Sequence, residues 1–106
     1  MLEITPAKVV EIIYLSRETT ASAAAELRGL LAGLNVDEKA HLTALAWVGR
    51  GTYVPEEFAQ AVEVAEVEAS APTAEYLLGM TDLGENLELG LEAMGIDVTG
   101  EEEDLL

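Results

Sequence analysis

The chain has no cysteine, which excludes disulfides, thiolate nucleophiles and cysteine-held metals from the start. Aromatic residues are scarce, with one Trp, three Tyr and one Phe among 106 residues. The core must therefore be built mainly from Leu, Val, Ile and Ala. No run of about 18 uninterrupted apolar residues occurs, so no membrane span is expected. The opening MLEITPAKVVEIIYL places an acid ahead of its apolar residues and interrupts them with Lys8 and Glu11, unlike a secretory leader. A cytoplasmic location is the expectation.

The most informative absence is that of basic residues after Arg50. Residues 1–50 hold five basic and six acidic side chains, a net of −1, whereas residues 51–106 hold fifteen acids and no Lys or Arg, a net of −15. Phosphate backbones and anionic membranes would repel that half, so neither direct nucleic-acid binding nor membrane association is expected. The acidity has two readings. Solvated acidic helix faces keep a small domain soluble, notably in a salt-rich cytoplasm, or the acidic half is a surface for a basic protein.

A chain of this length forms one domain with one core, burying roughly two thirds of the surface of its unfolded state. We expect an all-α fold, a small bundle of five or six helices over residues 1–96. Residues 97–106, including the run EEEDLL, read as an acidic, flexible tail.

The segment from Asn35 to Tyr53 organises the reading. Asn35 followed by Glu38 has the form of a capping box with Asn in the Ser/Thr position, and Asp37 and Glu38 suit the positive end of the helix dipole. A helix is expected over about 36–50. Leu42, Leu45, Ala46 and Gly49 form its buried stripe, and Lys39, Thr43, Trp47 and Arg50 fall on another, which puts the indole at the edge of the core. Gly51 supplies the stop.

Upstream, Thr5-Pro6 starts a helix whose broad buried face holds Val9, Ile12, Ile13 and Ser16, with Val10 and Tyr14 beside them. TTASAAA then suggests a break near Thr19 or Thr20 and a second helix capped by Ser22, with Leu27, Leu30, Leu31 and Leu34 on one stripe. A single bent helix over 6–32 is the alternative. Downstream, Pro55-Glu56-Glu57 opens a helix with Phe58, Ala61, Val62, Ala65 and Ala69 inside, although AVEVAEVEA also alternates like a strand. Ala71-Pro72 breaks it. Tyr76, Leu77 and Leu78 then reach the core from a short helix at 73–79. The last helix begins near Asp82, which with Glu85 resembles another capping box, and carries Leu83, Leu87, Leu91 and Met94 along one side. Gly90 on that side permits close approach of a neighbour, and Gly95-Ile96 reads as the stop.

Three ordered segments carry a family resemblance: ITPAKV, then ELRGLLAGLNVDEKAHLTALAWVGRG, then TAEYLLGM followed by LELGLEAMG. With them the chain resembles a family of small bacterial proteins catalogued as domain of unknown function number 3775. That family has no established activity, so the resemblance implies no site residues. Its members carry a longer acidic segment where TTASAAA stands here, and often continue with Pro-Leu where this chain has Thr81-Asp82.

No catalytic, cofactor or metal set emerges. Glu38-x-x-His41 has the spacing of a di-iron carboxylate ligand pair, but with one His in the chain only a symmetric dimer could complete such a site. Gly49-Arg50-Gly51 lacks the Lys-Ser/Thr ending of a phosphate loop and follows a helix instead of preceding one. The leading expectation is a non-enzymatic interaction or regulatory module presenting acids such as Glu85, Glu88 and Glu92 to a basic partner. A second is a small-molecule binder or enzyme with a pocket near Trp47, Arg50 and Tyr53, Arg50 holding an anion. A third is a nucleic-acid mimic. A homodimer through a Leu stripe including Leu30 or Leu89 is compatible with all three.

Overall fold

A computed structural model describes residues 2–67 and 73–96. Among them, six α-helices follow one another: α1 (Pro6–Arg17), α2 (Ala21–Ala32), α3 (Val36–Arg50), α4 (Phe58–Val67), α5 (Thr73–Leu78) and α6 (Leu83–Ala93). A single 3-10 turn, Pro55–Glu57, leads into α4. Ala69, the break expected at Ala71-Pro72 and the tail at 97–106 lie outside the described residues.

Local chemistry explains most helix ends. Thr5 Oγ1 accepts the Lys8 N–H and Pro6 occupies the first turn, where a missing N–H costs nothing. Asn35 and Glu38 close the reciprocal box, at 2.8 Å from Glu38 N to Asn35 Oδ1 and 2.9 Å from Asn35 N to the Glu38 carboxylate. Gly51 ends α3 in the left-handed region at φ 92°, with the Thr52 N–H returning to the Trp47 carbonyl. Gly95 does the same after α6 at φ 73°, and the Ile96 N–H bonds the Leu91 carbonyl.

Two expected caps are corrected. The chain does divide between α1 and α2, but Thr20 caps α2 by accepting the Ala23 N–H at 3.1 Å, and Ser22 lies within the first turn. Asp82 precedes α6 with φ 58°, in the left-handed region, and its side chain makes no capping bond. A capping side chain needs an extended backbone to reach the free N–H groups, and the turn over Gly79–Asp82 does not supply it.

α3 is the central element, packed against α4, α5 and α6. Every residue from Leu42 to Val48 is buried, so the helix is enclosed on all sides and has no single core stripe. Trp47 is thereby moved from the expected core edge into the interior, because α5 covers that side. Thr43 is buried as well, its hydroxyl satisfied by the Lys39 carbonyl at 2.9 Å. α6 packs against both α3 and α1, and α2 against α1 and α5. The α3–α6 contact is nearly backbone to backbone. A Cβ on Gly90 would lie 2.3 Å from the Leu45 carbonyl oxygen, and one on Gly49 would lie 1.7 Å from that of Asn86. Small residues at this crossing let Leu45, Leu87 and Leu91 interdigitate, all essentially without exposure.

Candidate functional site

The clearest concavity lies where the end of α1, the middle of α2, the end of α5 and the start of α6 meet. The end of α1 contributes Leu15, Ser16 and Arg17, with Glu18 just beyond it; α2 contributes Ala24 and Leu27. Leu78 and Met80 close one side, and Asp82, Leu83, Gly84, Glu85 and Glu88 the other. Gly84 makes the junction possible, because a Cβ there would fall 2.5 Å from Ser16 Oγ. The hollow occupies about 630 Å³ and is broadly open to solvent. Its floor is apolar, from Leu15, Leu27, Leu78, Met80 and Leu83, and its rim carries four carboxylates against the one guanidinium of Arg17.

Arg17 reaches Glu88 at 3.4 Å, with both side chains about half exposed, at 48% and 47%. A pair of that length and exposure contributes between about 0 and 1 kcal/mol, so it does not lock the rim. Glu18, Asp82 and Glu85 have no basic partner among the described residues. The rim is therefore electronegative, and the floor gives an aliphatic chain something to lie on.

The sequence-derived residues separate into two places. Glu85 and Glu88 border this hollow, and Glu92 continues their row along the exposed side of α6, beside Leu89, which is 42% exposed. Trp47 and Tyr53 do come together, stacked at 5.9 Å between ring centroids. The Trp47 Nε1–H is used internally, however, donating to Tyr76 Oη at 2.8 Å. Phe58 sits against His41, edge to face at 5.3 Å. Arg50 lines a second, shallower hollow with Glu75, Tyr76, Gly79, Met80 and Thr81, but its Nε donates to Thr52 Oγ1 at 3.0 Å and a carboxylate stands in the same lining. An anion there would meet Glu75 as well as Arg50, although Glu75 is engaged with Arg28.

Glu38 and His41 bind neither each other nor any cluster suited to a metal; among the described residues no group of three or more His, Asp or Glu could hold one. Glu38 pairs with Lys8 Nζ at 2.8 Å, and this hydrogen bond, with the one from the Asn35 amide, holds its carboxyl below the usual value. His41 Nδ1 accepts the Glu3 N–H at 3.1 Å, and partial burial lowers its pKa from the ordinary 6.5.

Sequence reasoning missed the floor of the hollow, together with Arg17 and Asp82 as rim groups. Arg17 and Glu88 are 71 residues apart, and no local pattern signals such a meeting. No helix among the described residues is long and apolar enough to cross a membrane. Residues 24–96 match a family described as a protein of unknown function, DUF3775, over more than half of the chain. No curated protein and no solved structure matches.

Proposed function

The chain belongs to the DUF3775 family, whose description assigns no chemistry, and we propose from its geometry that it is a non-enzymatic interaction module for a basic protein partner. The hollow beside α6 receives a Lys or Arg side chain of that partner. The observation that carries this reading is the apolar floor beneath a rim of four carboxylates and one weakly held guanidinium. Lys and Arg have the matching form, an aliphatic stem that packs on apolar surface and a cationic head that seeks carboxylates. The Arg17–Glu88 pair yields because it is long and exposed. The net charge of −15 on residues 51–106 steers a basic partner toward this half from a distance, an effect that falls as salt rises.

Calorimetric titration with a short peptide of alternating Lys and Leu tests the reading, provided charge-matched variants are compared. Neutralising the rim in E85Q/E88Q is expected to weaken binding between about twofold and thirtyfold, from two exposed charge contacts. The double change E63Q/E66Q on exposed positions of α4 alters the net charge equally and should change affinity less than about twofold. Equal losses in both variants would reduce the binding to diffuse charge attraction and remove the hollow from the account.

A further inference from the structure

Glu38 and His41 both face the start of the chain. Glu38 takes the Lys8 ammonium from α1, and His41, one turn later, takes the backbone N–H of Glu3 from the segment that precedes α1. That segment is otherwise anchored by Ile4, which has no exposure, and by Thr5 in its capping role, with Leu2 packed partly against the core.

We propose that His41 is a pH-sensitive latch that ties the segment Leu2–Ile4 to α3 while its ring is neutral and loosens it on protonation. A nitrogen that accepts an N–H must carry a lone pair, so the bond to Glu3 specifies the neutral ring with its proton on Nε2. The ring meets Phe58 edge to face with an interplanar angle of 66°, so α4 helps to fix its orientation. Protonated, Nδ1 carries its own N–H and confronts the Glu3 N–H, donor against donor. The hydrogen bond is lost and the ring or the segment must shift.

The charged groups acting on the ring come from every side. Glu3 in the segment, Asp37 on α3 and Glu66 on α4 favour the imidazolium. Burial has the largest effect and disfavours the charged ring, which leaves the pKa lowered. Between that lowered value and 6.5 the unfolded chain binds more protons than the folded one. The latch therefore contributes its full stability above pH 6.5 and loses it as pH falls through the folded pKa. Glu38, with its own pKa lowered from 4.5, keeps its charge and its tie to Lys8 to more acidic pH. Acidification thus loosens the start of the chain in two steps, His41 first. Neither His41 nor Glu3 lines the hollow beside α6, so the latch and the binding reading stand or fall separately.

His41 is the only histidine, so its ring signals identify themselves in the full-length chain. In an NMR titration from pH 8 to 5, the imidazole should titrate below 6.5, with the Glu3 amide shift following the same midpoint. The Glu3 exchange protection factor should fall about tenfold across that transition, as for loss of one hydrogen bond. His41→Asn places a non-titrating oxygen acceptor near the position of Nδ1, and its Glu3 amide should stay constant through the same range. A Glu3 amide that remains fixed and protected while the wild-type ring titrates overturns the proposal. So does a response with a midpoint in the carboxylate range, or one that persists unchanged in the variant. The wild-type titration decides alone should the variant not fold.

Discussion

Tyr76 illustrates how a side chain that is 43% exposed can still serve the core, since its hydroxyl is the partner of the buried Trp47 indole. Tyr76→Phe keeps the ring and leaves the indole N–H unsatisfied, which should cost about 1 kcal/mol in urea unfolding and shift the emission of the single tryptophan to the blue. An unchanged midpoint and spectrum would show that solvent satisfies the indole equally well. The sequence placed Trp47 at a core edge because its helical spacing groups it with Lys39 and Arg50. Burial on that side comes from α5, about 29 residues away, and periodicity within one helix carries no information about it. Asp82 makes the same point. Its residue type and its spacing to Glu85 suit a capping box, but the preceding turn sets φ at 58° and the carboxylate is directed elsewhere.

Helix boundaries were most legible where their signals lie within a few residues of each other. The Asn35–Glu38 box and Gly51 define α3 from local chemistry alone, and the structure gives Val36–Arg50. α4 is helical over Phe58–Val67, although its valines alternate as in a strand, because that alternation cannot outweigh a Pro-led start and a face of Phe58, Ala61 and Ala65 that packs on α3. The α3–α6 crossing was legible only in part. Gly90 announced a close approach, whereas its partner Gly49 looked like one more member of a buried stripe. Gly90→Ala tests the crossing, because the added carbon meets backbone, which cannot yield as a side chain does. We expect a loss of about 1–3 kcal/mol in spite of the gain in helix propensity. Gly29→Ala, with nothing within 4 Å of the added carbon, should instead gain about 0.5–1 kcal/mol. Two variants stabilised alike would contradict the backbone contact.

At the scale of the molecule, the hollow arises only after four helices assemble, which is why charge asymmetry was readable and its focus was not. Glu85 and Glu88 could be singled out as acids on an exposed face; that Leu15, Leu78 and Met80 form a floor next to them depends on α1 and α5 converging on the start of α6. The uneven charge then acquires a place where it has a shape to work with. The most direct measurement is amide and methyl NMR mapping of the intact chain during titration with the Lys-Leu peptide at low salt. The account predicts the largest shifts at Leu15, Arg17, Leu78, Met80, Gly84 and Glu85, fading together as salt is raised, with Glu63 and Glu66 little affected. Shifts spread evenly over the acidic positions of α4 and α6, with the methyl groups of the floor silent, would contradict it.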